Sequence, residues 1–213
     1  GSGFCEDYIY LARGLLDLYR ATADIRFFTI ARKIQSFADT QFLDPDSGLY
    51  HLTPSSKIVN SPFGLWIITD GDLPSLNGIA ALNLLEISAI VGGGDSRQNA
   101  QNVIRASTPE LNLSPSRCGS LMLAIDQEAH PAMQAILSGI PEEPLTRKLA
   151  NRIRQYAQGN ITLIFMDGQA GQRTLIKEQP ALSTFRAVEG NPKVFLCKEF
   201  QIGFLLTYNA IAW

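Results

Sequence analysis

Residues 76–91 put apolar side chains around almost a whole helical circumference. Ile79, Ala80, Ala81, Leu82, Leu84, Leu85, Ile87, Ala89 and Ile90 leave no polar face of any width. A helix of that kind is stable only when other elements surround it. The rest of the chain must therefore supply neighbours for it, which favours a layered helical fold. Directly before it stands "DGDLPSLNG", in which two aspartates, a serine and an asparagine crowd against a segment that has to be buried. Ser75 is in position to cap the helix, and "GGG" at 92–94 ends it. That glycine run lacks the preceding strand of a phosphate-binding loop.

The neighbours are legible. Residues 6–21 carry Tyr8, Leu11, Leu15, Leu18 and Tyr19, with Ile9, Ala12 and Leu16 widening the stripe, so a second inner helix is predicted there. Asp24 caps a third helix whose predicted inward face is Phe27, Ile30, Ala31, Ile34, Phe37 and Ala38, with Arg26, Arg32, Lys33 and Asp39 outside. The pair reads as an αα-hairpin with one inner and one outer member. Between 43 and 73 the pattern dissolves into a long loop. Its apolar residues, including Tyr50, Phe63, Leu65 and Trp66, argue against disorder and for short strands or a packed loop. Asp95 or Ser96 opens a short helix with Ala100, Val103 and Ile104 inward. Ser114-Pro115 opens another that carries Leu121, Met122 and Ile125.

After His130-Pro131 the period changes. "AMQAILS", an amphipathic helix over 145–157 (Leu145, Leu149, Ile153, Tyr156) and "ITLIFMDG" predict a βαβ unit with parallel strands. "KVFLCKEFQI" predicts one further strand, and 168–192 reads as loop. The expected architecture is mainly α with a small α/β part. Helical hairpins of a partial (α/α) toroid occupy 4–128, and a βαβ-containing subdomain occupies 129–213.

Charge and cysteine usage exclude several functions. Lys+Arg 18 against Asp+Glu 20 gives a net charge of -2, which provides no field for nucleic acid or an anionic membrane. No apolar run reaches the ~20 residues of a membrane-spanning helix. Cys5, Cys118 and Cys197 form neither a CxxC motif nor, with His51 and His130, a metal-ligand spacing. They read as core-filling thiols of a reducing, cytoplasmic protein, and no metal or cofactor is expected. The leading Gly1-Ser2-Gly3 reads as a cloning remnant, and the helical pattern directly behind it suggests a chain that starts partway through a longer protein.

If an outer helix returns the chain after each inner one, the inner helices run parallel and their N-termini share a rim. Glu6, Asp7 and Tyr8 lie at one N-terminus; Asp70, Asp72, Ser75 and Asn77 lie at the next; the loop with His51 and Trp66 arrives at the same end. A helical toroid places its pocket at such a rim. Capping and the helix dipole equally favour Asp7, Asp72 and Ser75 at these positions. Asn77 and Asn83, inside an apolar helix, need hydrogen-bond partners wherever they point.

"EDYIYLARGLLDLYRAT" resembles the "DDYAFLIRGLLDLYEAT" hairpin of YyaL-type proteins, which include spermatogenesis-associated relatives. "TDGDLPSLNGIAALNLLEI" is similar to their "YDGAxPSGNSVAAxNLLRL", which matches Asp70, Gly71, Pro74, Ser75, Asn77 and Asn83 among others. "PKVFLCKEF" resembles their C-terminal "xAYVCENFTC". Leu76 departs from the glycine of PSGN, Ile202 stands at the second terminal cysteine, and the proline-rich ending is absent. The resemblance implies the C-terminal part of a protein whose N-terminal domain is thioredoxin-like. It also implies a toroid akin to N-acylglucosamine 2-epimerases and six-hairpin glycosidases. On that footing the chain is sugar-binding or sugar-active, an epimerase or hydrolase. Asp7, Asp70, Asp72 and His51 would be its catalytic groups, and Glu6, Tyr8, Ser75, Asn77 and Trp66 would hold a small carbohydrate. The alternative is a non-catalytic interaction domain that presents substrates to the thioredoxin-like domain. A ring left open would also expose an apolar flank (Phe4, Ile9 and Leu16) and favour self-association.

Overall fold

The buried helix forms as its sequence requires. In this computed structural model, which describes residues 3–54, 66–156, 161–198 and 201–206, α3 spans Leu76–Val91. Between Leu76 and Ile90 only Leu82 and Ala89 are more than marginally accessible. Helices α1 (Cys5–Thr22), α2 (Ile25–Phe42), α4 (Gly94–Leu113) and α5 (Gly119–Ala129) make up the rest of the helical part. Then follow β1 (Met133–Ser138), α6 (Pro144–Tyr156), β2 (Ile161–Met166), α7 (Ala170–Glu178), β3 (Lys193–Lys198) and β4 (Gln201–Leu206). The protein is mainly helical with one small sheet.

The chain divides into two compact units. The first comprises Gly1–Asp17, Phe27–Ser88 and Gly93–His130; the second comprises Leu18–Arg26, Ala89–Gly92 and Pro131–Trp213. Within the first, α1 and α3 run in the same direction. Asn83 Nδ2 donates to the Ile9 carbonyl at 3.0 Å, and one turn further on Arg13 reaches the buried Glu86 at 2.6 Å. Helix α2 returns antiparallel to α1, so that Tyr8 near the start of α1 meets Phe42 at the end of α2, ring centroids 5.5 Å apart.

Helix α1 carries two apolar seams with the same alternating spacing of four and three. Cys5, Ile9, Ala12, Leu16 and Tyr19 are buried, whereas Phe4, Leu11 and Leu18 are 56%, 53% and 45% exposed, with Tyr8 and Leu15 intermediate. Of the flank expected to be open only Phe4 is exposed; Ile9 and Leu16 are buried, and Leu11 and Leu18, expected inside, are exposed in their place. On α2 the buried seam is Phe28, Ala31, Gln35, Ala38 and Phe42. Ile30 and Phe37, expected inside, are each 47% exposed. The predicted face was rotated because it followed the largest side chains, and the real one accepts a buried glutamine.

Helix α4 is longer than its sequence suggests and continues through Pro109. Pro115–Arg117 forms a 3-10 turn before α5, on which Leu121 is buried and Met122 is 51% exposed. In the second unit β1 and β2 pair in parallel, with α6 between them in sequence. The strand order is β2-β1-β3-β4, and β3 pairs antiparallel with both β1 and β4. The single C-terminal strand read from the sequence is thus two, with Glu199 and Phe200 outside the described residues. So are Phe63, Leu65 and the side chains of Tyr156 and Ile202. Leu149, Ile153, Ala135 and Leu163 pack in this unit's core. The expected loop after β2 contains α7, whose start is capped by Asp167, which accepts the N–H groups of Gln169, Gly171 and Gln172, and whose Leu175 is buried.

Among the described residues no helix is long and apolar enough to cross a membrane, and no group of three His, Cys, Asp or Glu side chains is placed to hold a metal ion. All three cysteines are free and buried. Burial, with smaller contributions from Asp39 and Glu6, pushes the Cys5 thiol up, and burial does the same to Cys118 and Cys197.

Candidate functional site

The segment Tyr50–Leu52 joins three helix ends. The His51 N–H donates to the carbonyl of Phe42, the Cys5 N–H donates to that of Leu52, and Tyr50 bonds Asn77 in both directions. The ends of α1, α2 and α3 are thereby tied together, and the polar residues at the two N-termini do come to one end of this unit.

Most of those residues are already engaged. Asn77 Oδ1 accepts the Tyr50 N–H at 2.8 Å, and its Nδ2 donates to the carbonyls of Tyr50 (3.2 Å) and Ile67 (3.1 Å). An asparagine in an apolar helix is tolerated here because it stands in for a missing strand partner of the loop. Ser75 Oγ accepts the Gly78 N–H at 2.9 Å, a helix cap, and lies 3.1 Å from Ser120 Oγ. A Cβ on Gly78 would fall 2.2 Å from that Ser120 oxygen, so only glycine fits.

Asp70 closes the group. Its Oδ1 accepts the Ser75 N–H at 2.7 Å and the Ser120 hydroxyl, and its Oδ2 accepts the Ser120 N–H at 2.9 Å. It therefore caps α5 from a distant segment. Burial pushes its carboxyl up, but the Ser120 hydroxyl and the N–H groups of Ser120, Ser75 and Gly119 outweigh that and hold it below the ordinary carboxylate range. An anion at a helix N-terminus is stabilised further by the dipole.

The remaining expected residues are less engaged. Asp7 is exposed and accepts the Phe4 N–H at 2.9 Å, closing the first turn of α1. Asp72 is exposed and Glu6 is half-buried. His51 is buried, with Nε2 3.6 Å from Asp44 and Nδ1 without a hydrogen-bond partner; Trp66, 44% exposed, lies over it at 5.3 Å between centroids. Among the described residues no hydrogen bond or ion pair joins Asp7, Asp70, Asp72 and His51 to one another.

A second polar group was not anticipated. The Tyr50 hydroxyl and Gln35 Nε2 (2.8 Å) both donate to Asp39 Oδ1, and Asn83 Nδ2 donates to Gln35 Oε1 at 3.2 Å. Gln35, Tyr50 and Asn83 are all at most 1% exposed. Burial pushes the Asp39 carboxyl up, against the pull of the Tyr50 and Gln35 hydrogen bonds, and the Tyr50 phenol is raised by burial and by Asp39. The signal in the sequence was Gln35, a long amide at the centre of the seam Ala31, Ala38 and Phe42.

No protein-family model matches the chain. Over 194 residues, 91% of its length, it is 28% identical to spermatogenesis-associated protein 20 of Mus musculus. It is 27% identical over 196 residues to spermatogenesis-associated protein 20 of Homo sapiens and 24% identical over 200 residues to an uncharacterised protein of Caenorhabditis elegans, 92% of the chain in each case. These matches cover 24%, 25% and 26% of the relatives. The chain is thus homologous to one part of larger proteins and spans about a quarter of their length.

Proposed function

We propose that the chain is a non-catalytic interaction domain of a larger protein and docks through the open seam of α1 onto a helix elsewhere in that protein. The observation that carries this reading is the second seam itself, spaced like the first: Phe4 and Leu11 are more than half exposed and Leu15 is half-buried, while Tyr8 between them packs on Phe42. Seams with that spacing are what one helix buries against another. The occupant is sought in the relatives' remaining three quarters, which have no counterpart in this chain. The thioredoxin-like domain implied by the resemblance is the partner that such a domain would serve, with this chain in the C-terminal part.

The sugar-active reading has weaker support at the rim. A general acid or base needs a carboxyl oxygen open to substrate, and Asp70 has committed both of its oxygens to backbone and serine donors. Ser75 and Asn77 are spent on the cap and the loop.

The test is to express the remainder of a full-length relative separately and titrate it with this chain. Association is expected, and Leu11→Glu should abolish it while changing the melting free energy of the chain by no more than ~0.5 kcal/mol, as for an exposed site. The lone chain should self-associate through the same seam in sedimentation, again sensitive to Leu11→Glu. Failure to associate, association indifferent to that change, or sugar turnover that depends on Asp7 or Asp72 would overturn the reading.

A further inference from the structure

A cleft of about 390 Å3 opens in the first unit between α2, the end of α3 and the first turns of α4. Its volume lies in the range of small-molecule sites. Helix α2 lines it with Arg32, Gln35, Ser36, Asp39 and Thr40, and α4 with Asp95, Ser96 and Asn99; Leu43 and Ile87 are its only apolar residues. None of these belongs to the rim.

Two of the lining residues, Gln35 and Asp39, belong to a fixed hydrogen-bonding group. Tyr50 and Gln35 both occupy Asp39 Oδ1, which orients the carboxyl and leaves Oδ2 without a protein partner among the described residues. Gln35, itself 1% exposed, continues inward to Asn83, whose Nδ2 is satisfied by the Ile9 carbonyl and Gln35. Asn83 Oδ1 is wholly buried and has no hydrogen-bond partner. Orphaned acceptors of this kind are rare in folded proteins and mark places where a further polar group belongs. The buried network thus ends in the cleft on one side and in an unsatisfied acceptor on the other.

We propose that this cleft binds a small uncharged polyhydroxyl compound. Hydroxyl groups both donate and accept, and the lining offers both roles: Asn99 donates, Asp39 and Asp95 accept, and Ser36, Thr40 and Ser96 do either. An anion meets two carboxyls, a cation meets Arg32, and an apolar ligand would strand most of the lining without partners. Burial favours the neutral form of Asp39, which an uncharged ligand does not oppose.

The experiment is a titration of the chain with myo-inositol and with D-glucose, followed through the side-chain amide resonances of Gln35 and Asn99. Saturable shifts confined to the cleft are expected. Ser36→Trp, which fills the mouth from an exposed position of α2, should weaken binding at least tenfold while the far-ultraviolet spectrum and melting temperature stay unchanged. Asn99→Trp supplies the same block from α4 should the first variant fold poorly. The proposal is overturned if neither polyol gives a saturable shift, or if the response survives both tryptophan variants, as general exclusion of polyols from protein surfaces would produce. Saturable binding of inorganic phosphate or putrescine in place of the polyols overturns it as well.

Discussion

Asp39 and Asp70 each accept a 2.5 Å hydrogen bond from a hydroxyl, yet their carboxyls are displaced in opposite directions. Burial is the largest influence on both and raises both. The difference lies in the other donors. Asp70 gathers backbone N–H groups from Ser75, Gly119 and Ser120 and is held low; Asp39 adds only the amide of Gln35 and stays high. Backbone N–H groups at a helix start have no intrahelical partner, so a carboxylate there satisfies a need of the fold. A carboxyl held only by side chains keeps its second oxygen for something else. Of the acidic residues conspicuous in the sequence, Asp70 and Asp7 accept N–H groups at helix starts, and the aspartate assigned to an outer helix face borders the cleft.

The largest expected effect comes from the residue that holds both regions in place. Asn77 bonds Tyr50, whose hydroxyl feeds Asp39, and also Ile67, a few residues before Asp70. Asn77→Ala would leave the N–H and the carbonyl of Tyr50 without partners, at ~1–3 kcal/mol each where they stay buried, and would leave the Ile67 carbonyl only the backbone N–H of residue 77. A loss of about 3 kcal/mol or more in urea denaturation is expected. A loss below about 1 kcal/mol would mean that the loop holds itself, and that the two aspartates are independent.

How much of this was legible depends on whether local sequence or distant partners decide a residue's place. The encirclement of α3, the caps at Ser75 and Asp24 (which accepts the Arg26 N–H at 3.0 Å) and the parallel strand pair follow from short-range pattern and were readable. The face of α2 was not, because periodicity gives a stripe but cannot tell whether Gln35 or Phe37 points inward; that depends on Asn83 and Tyr50. On α1 two seams share one spacing, and which of them stays open is a property of the neighbours. Asp70 was read as a candidate catalytic group; its partners Gly119 and Ser120 come from a helix that no local pattern connects to it.

Asp70→Asn is the intermediate case. Replacing the charge at the α5 cap should cost ~1 kcal/mol, with a smaller loss for Ser120→Ala. A folded-state value below the unfolded one means that the contribution is present above the unfolded pKa, ~3.9, and is lost as pH falls through the folded value. The unmodified chain should therefore lose stability on acidification through that window, and Asp70→Asn should lack that part of the slope. Equal slopes would remove Asp70 from the capping role and return its carboxylate to the candidates for chemistry.

The smallest effect carries the opposite sign. The Asp39 carboxyl is raised, so the unfolded chain ionises first as pH rises through the ordinary carboxylate value, and folding stability falls until the folded group has also ionised. Above that point a constant penalty remains for keeping a charge in a mostly buried site. Asp39→Asn removes the charge while an amide oxygen can still accept from Tyr50 and Gln35. Its melting temperature should therefore equal or exceed that of the unmodified chain at pH 7, and the advantage should shrink toward pH 3, where both side chains are neutral. Thermal melts across that range measure it. A variant less stable at pH 7 by as much as Asp70→Asn would mean that the ionised carboxylate is what the Tyr50 hydroxyl requires. The two aspartates would then be alike in kind, and the Asp39 carboxyl at the cleft would be held there for the fold rather than for a ligand.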